Sequence, residues 1–391
     1  MSHKNFRANL QRDENFCDTF HAARIKIINI RMKNLMILLL SVICSATLLA
    51  QEKSFKVLGK VIDAESKQPL PGASAFCQNT TQGTVSNNEG LFYMHLPNGG
   101  YDMVVTYTGY EKKVFRISNN LPSVDTLLVE LAKVDQSLTE VAVVASTEDP
   151  DGLAKYGKFF SDNFIGNTGF SSQCTIQNPE VLHFFYSKKR NRLKIMARED
   201  LIILNYALGY KLRYQLDSFS YDYSSNITQY TGSPLFQEMD STEEVKTQWK
   251  KNRAHTYLGS RLHFMRSFYD STLARQGFIV EKLNDDPQSV KGTFITNFYN
   301  EQDYLSDSGE VEINWTGRYR ISYGNVLPDK QFLEEYKLPP ATRFQITVLD
   351  IANGFVIEKN GYFYEQYDVI NAGYWAWKKL AELLPYDYDY R

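Results

Sequence analysis

The stretch PLPGASAFCQNTTQGTVSNNEGLFYMHLPNGGY, residues 69–101, decides how the first part of this chain folds. Pro69-Leu70-Pro71-Gly72, Asn87-Asn88-Glu89-Gly90 and Pro97-Asn98-Gly99-Gly100 are turn sequences, because Gly and Asn accept positive φ at little cost and Pro presets the turn. Between the turns the chain alternates. Phe92, Met94 and Leu96 share one side of an extended segment, and Leu91, Tyr93 and His95 share the other. Working outward from this stretch, the same punctuation places strands at 55–63, 73–78, 82–86, 90–96, 101–107, 110–117 and 125–131. About seven short strands in some eighty residues predict a small antiparallel β-sandwich.

The segment 59–115 resembles the carboxypeptidase-regulatory-like domain, a transthyretin-like sandwich. The residues that carry the likeness are Gly59, Asp63, Pro69-Leu70-Pro71-Gly72-Ala73, Gly83-Thr84, Asn88-Glu89-Gly90-Leu91-Phe92 and Gly109-Tyr110. The likeness covers about a fifth of the chain. It implies an accessory module of the kind found at the mature N-terminus of exported and outer-membrane proteins of Bacteroidota, not a peptidase. A zinc carboxypeptidase needs His-x-x-Glu plus a distant His, and none of His3, His21, His95, His183, His255 or His263 has Glu three residues later. No cofactor or metal is expected.

The ends of that module carry two further signals. RMKNLMILLLSVICSATLLAQ (31–51) has a basic start, an apolar run from Leu35 to Ala50 and a small residue before Gln51, the pattern of a secretory signal peptide. Residues 1–50 therefore read as a leader, with the signal peptide at 32–50, an over-long start at 1–31 and cleavage after Ala50. Ile43 stands where a small residue is wanted before an acylated Cys44, which argues against a lipoprotein. Downstream, SLTEVAVVAS (137–146) resembles the LxEVVV segment that follows the same domain in TonB-dependent receptors, where it can pair as an added strand with a partner; the favoured reading is a last edge strand leading into a linker, since only about 240 residues follow and those receptors carry a large barrel. The domains expected are the sandwich at 51–134, a linker at 135–150 and a larger mixed α+β domain with antiparallel sheet at 151–391.

In that larger domain, strands are expected at 181–187, 192–199, 201–206, 208–221, 278–283, 293–298, 310–323, 343–349 and 354–364. Every odd position from Val311 to Tyr323 is apolar or Gly, which predicts one long half-buried strand. In 208–221 the apolar phase switches after Leu216, which predicts a bulge at Asp217-Ser218. Glu358-Lys359-Asn360-Gly361 reads as a hairpin turn. A long helix is expected at 242–276, capped by Ser241 with Glu244, kinked at Gly259-Ser260 and ended by Gly277. A second helix is expected at 366–384, stopping before Pro385.

Two segments, 249–278 and 373–388, resemble an uncharacterised envelope family that carries the same N-terminal domain. The first holds the residues expected to form a ligand-binding surface: Trp249, Asn252, Arg253, Tyr257, Ser260, His263 and Arg266. Arg253 and Arg266 have the forked geometry that grips a carboxylate or phosphate. The same pattern also fits a capped helix with a polar face. His255 and His263 are about 80° apart around a helix, so a shared metal would be strained. No nucleophile elbow, P-loop or dinucleotide fingerprint is present, and no catalytic residue is assigned.

The 391 residues carry a net charge of -2 and 14% aromatics. That balance gives no electrostatic case for nucleic acid, and the aromatic load suits sheet packing. Cys77 and Cys174 remain after the leader and fall in different expected domains, so two separate thiols are favoured over a disulfide. The reading is an exported, non-enzymatic envelope protein, in the periplasm or at the outer-membrane surface, that engages a partner protein or an extracellular ligand such as a glycan, without a transmembrane helix. A hydrolase acting on glycans or peptides through 151–391, and an accessory component of TonB-dependent transport, are the alternatives.

Overall fold

The computed structural model describes residues 54–120, 126–134, 148–284, 286, 291–307 and 309–390. The leader at 1–50 and the TonB-like segment at 137–146 lie outside the described residues. Residues from Ser54 to the C-terminus form one compact unit.

The N-terminal part is a sandwich of seven strands: β1 (Ser54–Asp63), β2 (Ser74–Cys77), β3 (Gly83–Val85), β4 (Leu91–Pro97), β5 (Gly100–Thr106), β6 (Lys113–Ser118) and β7 (Leu127–Leu131). One sheet has the order β4-β1-β7 and the other β3-β2-β5-β6. The expectation of a purely antiparallel arrangement needs one correction: β7 runs parallel to β1, pairing Gly59 with Leu127 and Asp63 with Leu131. Val61, Ala75, Cys77, Phe92, Leu96, Met103 and Val129 fill the space between the sheets. Asp63 ties the turn after β1, accepting from the Glu65 and Ser66 amides and from the Tyr110 hydroxyl at 2.7 Å. These bonds hold its carboxyl well below the usual range.

Both faces of the four-stranded sheet are covered. Ala75 and Cys77 point into the sandwich, so Phe76 must point out, yet Phe76 and Val104 are fully buried. The remainder of the chain covers that outer face. The turn at 78–82 is clamped there: Asn79 N–H donates to the Pro234 carbonyl at 2.7 Å, Phe236 N–H to Thr80 at 2.9 Å, and Tyr386 N–H to Asn79 at 2.6 Å. The Asp387 carboxylate accepts from Thr81 and Gln82. Beside this turn, at the start of β5, Tyr362 O–H donates to Asp102 at 2.8 Å and the Asn360 amide to the Gly100 carbonyl at 2.9 Å.

Two further large cores, and a small cluster of Tyr362, Tyr364 and Tyr386, make up that remainder. The first begins with α1 (Gly152–Phe164), followed by β8 (Cys174–Ile176), β9 (Leu182–Ser187), β10 (Arg192–Ala197), β11 (Leu201–Asn205), β12 (Tyr210–Asp222) and β13 (Ile227–Glu238). The long β12 carries β13 along one edge, and β11 and β10 share the other. The expected bulge is present, as a register shift between Leu216 and Ser218. Neither α1 nor β13 was expected from the pattern. β13 is polar and exposed over its first half, so its alternation is weak.

The second core lies between the five-stranded sheet β15-β14-β18-β19-β21 and the three-stranded sheet β16-β17-β20. The strands are β14 (Phe278–Leu283), β15 (Gly292–Phe294), β16 (Tyr304–Asp307), β17 (Glu310–Ile313), β18 (Gly317–Tyr323), β19 (Gln345–Ile351), β20 (Phe355–Glu358) and β21 (Val369–Gly373). The expected single strand 310–323 is two strands in two different sheets. The alternation is real, since Val311, Ile313, Trp315, Tyr319, Ile321 and Tyr323 are all buried in one core, but Gly317 at φ 87° turns the chain from one sheet to the other. The hairpin turn at 358–361 is present, with Gly361 at φ 83° and its N–H donating to the Glu358 carbonyl at 2.9 Å. The strand expected at 354–364 ends at Glu358 on entering it.

The long helix expected at 242–276 is two: α2 (Glu243–Tyr257) and α3 (Arg261–Tyr269). Gly259 breaks it at φ 79°, where a Cβ would lie 2.2 Å from the Gln345 side chain and 2.5 Å from Tyr323. Only glycine fits both the conformation and the space. Thr242, not Ser241, is the N-cap of α2. The helix expected at 366–384 is instead a 3-10 turn at Gln366–Asp368, strand β21, a single helical turn and another 3-10 turn at Leu380–Glu382. Pairing of Val369–Gly373 with β19 outweighs the helical propensity of this segment. Cys77 is buried and Cys174 half-buried, and both are free thiols. Burial pushes the Cys174 thiol up to about 12.

Candidate functional site

The seven residues singled out from the sequence fall on α2, α3 and the elbow between them. Trp249, Arg253, Thr256 and Tyr257 form the buried stripe of α2 at helical spacing. The Trp249 indole N–H donates to the Tyr206 carbonyl at 2.7 Å, and the Asn252 amide donates to Ala207 at 2.7 Å. Arg253 donates to Leu208 at 2.6 Å and Gly209 at 3.2 Å, grips the Glu238 carboxylate with two nitrogens, and lies 3.8 Å over the Tyr210 ring. Together these three side chains satisfy the carbonyls of the β11–β12 turn. Arg253, expected to hold a ligand anion, holds the protein's own backbone.

The same is true beyond the elbow. Ser260 caps α3 by accepting from the His263 N–H at 3.1 Å. His263 Nδ1 accepts from the Gly259 N–H, and burial holds the imidazole down to about 4, so the ring is neutral near pH 7. Tyr257 stacks between His263 and Tyr390. Arg266 donates to three carbonyls, Asn360 at 3.0 Å, Tyr388 at 2.9 Å and Tyr386 at 2.8 Å, and so pins the C-terminal segment to the 358–361 turn. Five planar donors make Arg suited to such multi-carbonyl clamps.

A cavity of about 300 Å³ opens beside this clamp, and of the seven residues only Ser260 lines it. All parts of the fold contribute to its wall. The sandwich supplies Asn79, strands β12 and β13 supply Tyr214, Tyr230, Gly232 and Pro234, the elbow supplies Thr256, Ser260, Arg261 and Leu262, and the C-terminal segment supplies residues from Asn371 to Tyr386. Lys378 and Glu382 form an ion pair at 2.7 Å with both side chains buried. Arg261 lies over the Phe363 ring at 5.5 Å. Burial draws the Lys379 ammonium below the ordinary lysine range, although Glu335 and Asp162 oppose this. The Thr256 hydroxyl is buried and has no hydrogen-bond partner. Among the described residues no group of three or more His, Cys, Asp or Glu is arranged to hold a metal ion.

Arg261 and Lys379 escaped the sequence reading. Arg261 sits inside the motif that supplied the other candidates, but no periodicity separates it from Arg253 or Arg266. What sets it apart is that the other two arginines find carbonyl partners, which only the packed chain reveals.

Residues 57–143 match the family model of the CarboxypepD_reg-like domain. No curated protein matches the chain. Among solved structures, a 9R-lipoxygenase from Cyanothece PCC8801 shares 9% identity over 60% of this chain and 50% of that one, with a TM-score of 0.14, at which the likeness carries no argument. This chain thus spans half the length of that protein.

Proposed function

We propose that this protein is a non-enzymatic binding protein whose second part takes a small ligand in the cavity between β12–β13, the α2–α3 elbow and the C-terminal segment, with the sandwich as a scaffold that helps to close it. The observation that carries the reading is the cavity wall. Its volume is at the small end of ligand sites, and it combines aromatic rings with a few convergent polar groups. The lining residues with chemistry are cations, tyrosines, amides and one carboxylate, and that carboxylate is already paired with Lys378. Such a set can bind and orient a ligand.

The leader pattern at 32–50 and the resemblance of 249–278 and 373–388 to an uncharacterised envelope family support a place in the periplasm or at the outer-membrane surface of a Bacteroidota-type cell. The matched domain at 57–143 is consistent with an accessory role there. The test is native mass spectrometry of the full chain purified gently from its cells, beside the cavity-filling variant Ala376→Phe. A small molecule that travels with the wild type and is lost from the variant, at unchanged melting temperature, is the expected result. The same molecule on both proteins, or none on either, overturns the reading.

A further inference from the structure

Within the reading of the cavity as a ligand site, its charge distribution narrows the ligand class. Four ionisable side chains other than tyrosine line it: Arg261, Lys378, Lys379 and Glu382. Lys378 and Glu382 neutralise each other. Among the described residues, the side chains of Arg261 and Lys379 make no hydrogen bond and no ion pair. The Arg261 guanidinium is left with the face of Phe363, and the charge of Lys379 is felt only at a distance by Glu335 and Asp162. Every other arginine near the elbow is fully used, Arg253 by two carbonyls and Glu238, and Arg266 by three carbonyls. A half-buried cation without a counter-charge costs desolvation energy that an arriving anion returns.

The remaining wall supplies apolar surface. Tyr214, Tyr230, Tyr386 and Trp375 line it together with Leu262, Leu380, Leu383 and Leu384, an aromatic and aliphatic surface for the body of a ligand. The Trp375 indole N–H is already spent on the Gly259 carbonyl at 2.6 Å, so that ring contributes surface and not a hydrogen bond.

We infer that the cavity binds a small organic anion, a carboxylate or phosphate head on a ring-bearing body, with Arg261 and Lys379 neutralising the head and the tyrosine, tryptophan and leucine side chains packing on the body. A sphere of the cavity's volume is about 8 Å across, enough for one ring and its head group and too small for a polymer segment. The forked guanidinium fits both oxyanions. The cations compensate the head, so affinity falls as salt screens the pair.

The test uses the full chain and two pairs of probes matched in shape and differing in charge: D-glucuronate against D-glucose, and phenyl phosphate against phenol. Binding is read by ligand-observed saturation-transfer NMR and by calorimetry. The expected result is that the charged member of at least one pair binds tenfold or more tightly than its neutral partner. Arg261→Gln should lose at least tenfold of that affinity at unchanged melting temperature, and Arg261→Lys should recover most of it. Which pair responds separates a carboxylate from a phosphate head. Equal binding of charged and neutral members, or full affinity in Arg261→Gln, overturns the anion assignment while leaving the cavity a ligand site. Binding of none of the four also overturns it; the broader reading then survives only if a small molecule still co-purifies with the wild type and not with Ala376→Phe.

Discussion

Glu358→Gln should flatten the pH dependence of this protein's stability between about pH 5 and 7. Glu358 is the last residue of β20 and is fully buried where the 358–361 turn meets the sandwich. The Tyr364 hydroxyl donates to one carboxylate oxygen at 2.7 Å and the Asn120 amide to the other at 3.2 Å. Across the strand pair, Glu310 lies directly opposite. Burial, against the hydrogen bond from Tyr364 and with the nearby charge of Glu310, pushes the Glu358 carboxyl up from 4.5 to about 7. The folded state therefore holds a proton that the unfolded chain has released between those values, and stability falls as pH rises through the window. The contribution is complete below 4.5 and gone above about 7. At about 1.4 kcal/mol per pH unit, the interval corresponds to about 3 kcal/mol.

His263 acts in the opposite sense. Its imidazole is held down from 6.5 to about 4, so its contribution is full above 6.5 and is lost as pH falls towards 4. Comparing wild type with Glu358→Gln cancels that background. The glutamine carries no charge, and its amide can donate to Tyr364, whose hydroxyl is able to accept as well as donate. Urea unfolding between pH 5 and 8.5 is the assay. The variant should gain on the wild type by about 3 kcal/mol across the range, with the change centred between pH 5 and 7. Parallel curves would mean that Glu358 is ionised in the fold at no cost, and would refute the argument.

Three further predictions concern the joints of the fold. Arg253→Ala leaves the Leu208 and Gly209 carbonyls without their donor in a buried site, and should cost about 3 kcal/mol in unfolding free energy; an unchanged melting temperature would instead return Arg253 to the list of ligand contacts. Gly209→Ala should be at least as damaging, because the residue sits at φ 69° and its new Cβ would lie 2.2 Å from the Trp249 ring. Loss of the Trp249 fluorescence environment along with stability would locate the effect there, and a well-folded variant would contradict it. Asp387→Ala removes the acceptor for Thr81 and Gln82 and should cost about 1–3 kcal/mol. Amide hydrogen exchange should then speed up at 78–82 ahead of the sandwich interior, and uniform exchange would show that the clamp does not stabilise that turn.

How much of this could be read from the sequence depended on the range of the signal. The sandwich was legible almost strand for strand, because its turns are coded locally by Gly, Asn and Pro at 69–72, 87–90 and 97–100, and its faces by simple alternation. What alternation left open was direction, and β7 lies parallel to β1 for reasons of topology. The bulge in β12 and the 358–361 turn were legible for the same local reason. The helix at 242–276 was misjudged because Gly259 reads equally as a kink or a break. The close approach of Gln345 and Tyr323, from a hundred residues away in sequence at most, makes it a break. Likewise Trp315 and Gly317 continue an apolar alternation that the fold divides between two sheets.

The sequence by itself determined the sandwich, the core-facing residues of most strands and the cluster of polar residues around the α2–α3 elbow, since each follows from short-range backbone preference and periodicity. Only the tertiary structure decided what those polar residues do. Arg253, Arg261 and Arg266 are equivalent as letters on a helical segment. Packing gives two of them buried carbonyls to satisfy and leaves the third facing a cavity whose walls come from Asn79, Tyr230, Lys379 and Tyr386, residues separated by up to three hundred positions. Charge compensation is a property of that enclosure and has no counterpart in local sequence.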